Sequence, residues 1–171
     1  TAQFSAKEKG KFTVTFDFDN GEAPLEIEVY DGAKIKAEQI PAEPVKPETQ
    51  TEKYTFVAWI NTYSEMEFDF NIAIKMDVTL RASYSVTNKY LVAIDGESQY
   101  VLHGEKLSQP ALIPIKSATE SHNYEFIGWG YEVVGEMRIW NFNTDMVTSN
   151  LILTAQFSAK EKGKFTVTFD F

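Results

Sequence analysis

Residues 11–18, Lys-Phe-Thr-Val-Thr-Phe-Asp-Phe, put Phe12, Val14, Phe16 and Phe18 on one face and polar side chains on the other. That period of two is the signature of a half-buried strand. Asp19-Asn20-Gly21 follows and predicts a tight turn, since Asn-Gly supplies the positive φ values a two-residue hairpin needs. Leu25, Ile27 and Val29 then alternate on a return strand. Residues 33–40 suit a short helical turn. Residues 41–47, with three prolines, suit an extended loop rather than helix or inner strand. Further strands are predicted over residues 55–60, 66–72, where Met66, Phe68 and Phe70 alternate, and 78–84. The same plan then recurs, with strands near 90–94, 99–102, 125–130, 137–142 and 150–157.

The recurrence is visible in the residues themselves. Tyr-Thr-Phe-Val-Ala-Trp at 54–59 returns as Tyr-Glu-Phe-Ile-Gly-Trp at 124–129. Asp31-Gly32-Ala33-Lys34-Ile35 matches His103-Gly104-Glu105-Lys106-Leu107, and Phe68-Asp69-Phe70-Asn71 matches Trp140-Asn141-Phe142-Asn143. A second and longer period lies over this one. The 18 residues 1–18 recur without change at 154–171, an offset of 153. Fixed-period self-similarity marks chains that string or stack one unit, and such chains act as spacers or extended surfaces.

The expected organisation is therefore four pieces. Residues 1–10 end a preceding repeat and its linker, 11–84 form the first repeat, 85–157 the second, and 158–171 a linker and the first strand of a next repeat. Each repeat is about 70 to 75 residues, enough to fold alone around a modest core. The junctions at 85–89 and 158–164 are short; the second, Lys-Glu-Lys-Gly-Lys, holds one glycine and is expected to bend more readily. The chain begins at Thr1 and is read as a piece of something longer, with targeting signals outside it. Its two terminal duplicates are expected either to complete domains of adjacent segments of a continuous polymer or to swap into a neighbouring molecule and build a filament head to tail, in both cases as parallel partners one period away.

Charge narrows the partners. Residues 11–84 carry 7 Lys/Arg against 14 Asp/Glu, residues 85–157 carry 4 against 8, and the whole chain is at -9. No basic face is available to neutralise phosphates, so nucleic acid is excluded as an expected partner and an anionic membrane surface is a poor one. No apolar run approaches the ~20 residues of a membrane-spanning helix. Cysteine is absent, which removes disulfides and thiolate metal sites while leaving the compartment open.

The chain carries no recognisable motif for catalysis or metal binding. The two histidines, His103 and His122, have no second ligand at helical spacing, and His103 sits at a turn position of the repeat. Asp17, Asp19, Gly21 and Glu28 imitate a calcium loop, but Gly21 occupies a ligand position, so a hairpin turn accounts for them. No hydrolase, metalloprotease or nucleotide-binding string occurs. Trp59, Trp129 and Trp140, with Phe68, Phe70 and Phe142, resemble a sugar platform only at first sight. Trp59 and Trp129 are equivalent and Trp140 aligns with Phe68, as core residues of a repeated fold do. No catalytic, cofactor-binding or metal-binding residue is assigned, and no cofactor is expected.

The order of landmarks in the first repeat resembles the Listeria-Bacteroides repeat, also called the internalin B-repeat. They are Val14-Thr15-Phe16, Asp19-Asn20-Gly21, Val29 with Gly32 and Lys34, the prolines, the Tyr54 to Trp59 string, Phe68-Asp69-Phe70, and Thr79-Leu80 closing at Tyr84. Nearly the whole chain is covered, twice. Tyr84 and Phe157 stand where the family usually has Trp, Ala58 replaces the Gly that Gly128 retains, and the second hairpin shortens to Asp95-Gly96. The resemblance implies a mainly β (α+β) chain of two tandem β-grasp-like domains in an elongated repeat array. It also implies a bacterial cell-surface or secreted location and a non-enzymatic stalk or filament role. Neighbouring copies end to end are the implied partners, and adhesion to a host or surface protein or glycan is the alternative.

Overall fold

The structure, a computed structural model, describes Glu8 and residues 10–168. Two compact units meet at the boundary between Thr87 and Asn88. Nine strands and one 3-10 turn make them up, and no α-helix occurs among the described residues.

In the first unit, β1 (Lys11–Asp17) pairs antiparallel with β2 (Leu25–Tyr30), and parallel with the start of β5 (Val78–Ile94), Val14 opposite Val78 and Asp17 opposite Arg81. β3 (Glu52–Asn61) pairs with β5 and with the two-residue β4 (Met66–Glu67), giving the order β2-β1-β5-β3-β4. In the second unit, the end of β5 pairs antiparallel with β6 (Glu97–Leu102) and parallel with β9 (Leu151–Glu161). β9 pairs antiparallel with β7 (His122–Val133), which carries β8 (Glu136–Ile139). The order is again hairpin, first strand, last strand, third, fourth. First and last strands are parallel neighbours in both units, and among the described residues the one helical element is the 3-10 turn Ala37–Gln39.

Each unit closes its own core, largely from equivalent repeat positions. Val14, Leu80, Trp59, Phe68 and Ile74 pack in the first; Val92, Leu153, Trp129, Trp140 and Val147 pack in the second. Trp59 is 5% exposed and Trp129 3%. Phe16 meets Trp59 edge to face at 5.0 Å between ring centroids, a geometry favoured by the ring quadrupoles. The loops between second and third strands are pinned alike. Lys46 Nζ lies 5.1 Å from the Tyr54 ring and 5.2 Å from the Tyr84 ring, and Lys116 Nζ lies 4.2 Å from the Tyr124 ring.

Four sequence expectations need correction. The first hairpin has no two-residue turn: Phe16 pairs with Leu25, and positive φ falls on Asp19 and Gly21 rather than on Asn20 and Gly21. Asn20 is spent instead on side-chain bonds, accepting from Glu22 N at 3.0 Å and donating to Val45 O at 3.1 Å. Such local bonding competes with the sheet ladder. In the second unit Asp95-Gly96 does make the tight turn, both at positive φ, with Ile94 opposite Glu97.

The strand expected over 66–72 stops at Glu67, because Asn71 N donates to the Asp69 carboxylate at 2.8 Å and turns the chain; Met66 is exposed while Phe68 is buried. By the same means β8 ends at Ile139, where Asn143 N donates to Asn141 Oδ1 and Asn141 N to Asp145 Oδ2. The expected linkers are strand for most of their length. Residues 85–89 lie inside β5, and Ser158 to Glu161 lie inside β9, paired with Glu125 to His122. Of the terminal duplicates, residues 1–4 and 169–171 fall outside the described residues; residues 165–168 form no strand, and Phe165 is exposed.

Candidate interaction surface

The residues flagged for chemistry are dispersed by the fold. Asp17 Oδ1 accepts from Asp19 N, Asp19 Oδ2 meets Lys46 Nζ at 2.8 Å, and Glu28 Oε2 meets Lys11 Nζ at 2.6 Å. Those carboxylates serve three different partners. His103 sits in a turn beside Tyr90, and His122 Nδ1 lies 2.8 Å from Ser121 Oγ. Among the described residues no group of three or more His, Cys, Asp or Glu is arranged to hold a metal.

Among the described residues, Tyr54, Tyr84 and Lys11 of the first unit titrate away from their ordinary range. The Tyr54 hydroxyl donates to the Glu52 carboxylate, which raises its pKa. Burial raises that of Tyr84, with Asp19 and Glu22 adding to it, and the Tyr84 hydroxyl donates to Phe18 O at 2.6 Å. The Glu28 carboxylate raises Lys11. Each has a structural partner.

The second unit carries two surface features of note. One lies beside Gly130, which stands where the first unit has Ile60: both pair with the equivalent residue of the fourth strand, Ile139 or Glu67. A Cβ on Gly130 would lie 2.5 Å from Gln156 Cγ and 2.8 Å from Met137 Sδ. At Gln156 the first unit has Ser83, so bulk has moved from one strand to its neighbour. Gln156 and Met137 thus fill the space beside Gly130, and next to it lies a cleft of about 960 Å³, lined by Gly130, Tyr131, Glu132, Met137, Asp145 and Ile152. Its floor includes Trp140, 7% exposed, with Tyr131 edge to face at 5.6 Å. Trp140 Nε1 is buried without a hydrogen-bond partner, and a buried unpaired donor is uncommon in folded proteins. Phe68 at the same repeat position carries no such donor.

The other feature is an apolar tip. Leu112, Ile113 and Ile115 are 87, 62 and 94% exposed, in the loop that in the first unit reads Ala42, Glu43, Pro44, Val45. Isolated exposed aliphatics are ordinary; three within four residues are not. The tip is legible as substitutions between repeats, once the repeats are aligned.

A sequence model of the Listeria-Bacteroides repeat domain matches residues 12–83 and again 88–156. The chain belongs to the Listeria-Bacteroides repeat family. Its repeats therefore coincide closely with the two folded units. Two proteins of Evansella cellulosilytica are similar: one provisionally designated a membrane protein, 28% identical over 86% of this chain, and one provisionally designated a Gly-rich membrane protein, 27% identical over 95%. The chain spans about a fifth of the length of each, 21% and 18%. Among solved structures, Streptococcal High Identity Repeats in Tandem domains 3-4 from a cell surface protein align over 87% of this chain and 99% of that one, at 12% identity and a TM-score of 0.32. No described helix is long and apolar enough to cross a membrane.

Proposed function

We propose that this Listeria-Bacteroides repeat pair is a non-enzymatic spacer in a tandem array at a bacterial surface or in a secreted protein. One observation carries the reading: in each unit the first and last strands are parallel neighbours. A chain that enters at the start of one strand and leaves at the end of its parallel neighbour exits at the opposite pole of the domain. Units joined by few residues then advance end to end. At ~3.3 Å per strand residue, each advances the array by roughly 25 to 40 Å. The unchanged 18-residue segment 153 positions on supports further copies of the same period. The acidic surface keeps such a polymer apart and dissolved.

Deleting one period from the full-length protein tests this. Immunogold labelling of an outermost epitope should show the projecting layer shortened by roughly 50 to 80 Å, and an unchanged layer would refute the spacer. A turnover of glycosidic, peptide or phosphate-ester substrates that one point substitution abolishes would overturn the non-enzymatic part. A second reading, a contact module, is favoured by the apolar tip and the cleft, which both fall in the second unit.

A further inference from the structure

We propose that the outer face of the second unit's sheet packs against the same face of a second copy, joining arrays side to side once per period. This goes beyond end-to-end spacing and stands apart from it, since a spacer need not associate and associating units need not be extended.

Strand alternation sets the face. In β5 Tyr90, Val92 and Ile94 turn to the core, so Leu91 and Ala93 turn outward. The ladders carry that face across the sheet. Tyr100 of β6 lies opposite Leu91, Ile152 of β9 opposite Ala93, and Ile139 of β8 opposite Gly130, which is itself opposite Thr154. Met137 lies over Gly130 on this side, and Ile127 is the extra residue where the β7–β9 register shifts. The six large apolar side chains among these are between 38 and 69% exposed. Together they make a patch on the order of 500 Å², the size that commonly marks a contact site.

The first unit builds the same face from polar residues. Thr13 N donates to Asp77 Oδ1 where Leu91 N donates to Asn150 Oδ1, which aligns the two sheets residue by residue. At the positions of Tyr100, Leu91, Ile152 and Ile139 the first unit has Glu28, Thr13, Thr79 and Glu67, and at Thr154 it has Arg81. In the second unit charge enters only at the border, with Lys89, Glu125 and Glu132. The polar side chains left inside the face are already bonded. Thr154 Oγ1 donates to Gly130 O at 3.4 Å, and Gln156 Nε2 donates to Thr154 Oγ1 at 2.8 Å. Covering them therefore costs little.

A face without charge or open hydrogen-bonding groups gives an ionic or sugar ligand nothing to recognise. Its complement is another flat apolar face, and every period of a neighbouring array carries one. Two such sheets stack about 10 Å apart. The net charge of -9 opposes contact between copies, but this face is where the first unit's carboxylates have been replaced, and physiological salt screens the rest beyond about 8 Å. A pair buries roughly 1,000 Å² in these side chains, the range of weak complexes. The period of 153 residues repeats the contact along an array, where linkage multiplies it. Both partners use the same patch, so the contact is isologous and closes at two.

Sedimentation velocity of the whole chain, from micromolar to near-millimolar, tests the proposal. The wild-type chain should pass from monomer to dimer, and no further, as concentration rises. Leu91→Thr/Ile152→Thr and Tyr100→Glu/Ile139→Glu give two separate pairs of exposed positions the first unit's residues. Each should raise the concentration of half-association by about tenfold or more, while the urea midpoint of Trp129 fluorescence shows the unit still folded. Leu112→Ala/Ile113→Glu, at the apolar tip, should associate as the wild type does. A wild-type chain monomeric throughout, a folded face variant that associates as strongly as wild type, or association abolished by the tip variant overturns the proposal. So does a chain that stays monomeric yet is retained by phosphatidylcholine vesicles, which would make the face a lipid contact.

Discussion

Gly128→Ala is the substitution whose cost the structure sets most directly. Gly128 has φ +141 and sits at the irregularity in the β7–β9 ladder between Phe126 and Gly128. A Cβ there would lie 2.6 Å from Ile139 Cγ2, closer than side chains approach in folded proteins. Two costs combine: backbone strain for a residue with a Cβ at that φ, about 1 to 3 kcal/mol, and overpacking against Ile139, about 1 to 3 kcal/mol. A total near 3 kcal/mol is a large share of the stability of a 70-residue unit, which is about 4 to 10 kcal/mol. With m near 1 kcal/mol/M for a domain this small, the urea midpoint of the second unit should fall by about 2 to 3 M. The first unit explains why alanine is tolerated there. Ala58 stays out of positive φ, and the residue at the Ile139 position is Glu67, exposed and able to move aside. Urea titration followed by tryptophan fluorescence is the assay, with Ile139→Ala added to make a double-mutant cycle. A positive coupling near 1 kcal/mol is expected, because only the steric part is relieved. A Gly128→Ala loss below 0.5 kcal/mol, or a loss that Ile139→Ala leaves unaltered, would refute this account of the site.

Trp129→Ala should cost about 3 to 5 kcal/mol and unfold the second unit while Trp59 fluorescence still reports a folded first unit; simultaneous loss of both would contradict separate cores. In the folded chain burial holds the Tyr84 hydroxyl above its ordinary pKa, and the hydrogen bond to Glu28 does the same for Lys11. Their contributions are therefore full below the ordinary values and lost as pH climbs through the raised ones. The first unit should weaken from about pH 10 upward, and Tyr84→Phe, which copies Phe157 of the second unit, should flatten part of that slope in urea midpoints measured between neutral pH and about pH 11. Lys46→Met removes an ion pair and two cation–π contacts, one end of which is exposed, so a loss of about 1 kcal/mol is expected; thermal melts showing none would leave the loop held by other contacts.

The strands, their faces and the repeat were legible because the core face alternates through Phe12, Val14 and Phe16 and recurs at equivalent tryptophans. What was not legible lies where short polar side chains compete with the ladder. Asn20, Asp69 and Asn141 bond neighbouring backbone and end or widen elements that periodicity alone would continue. The junctions were misread for the opposite reason. Ser85 to Lys89 and Ser158 to Glu161 look like polar linker, yet a neighbouring strand satisfies Ser158 to Glu161 residue by residue, which composition does not encode. The cleft was not legible because its lining comes from β7, β8, β9 and the loop before β9, which only the fold brings together. The apolar tip was in plain sight, but exposure is a property of the fold.

Small-angle scattering from chains of one, two and three 153-residue periods, in dilute solution where lateral contacts are absent, tests the spacer claim most directly. The account predicts a maximum dimension that grows by a constant increment of roughly 50 to 80 Å per added period. Growth that levels off with each added period, as for units folding back into one compact particle, would contradict it.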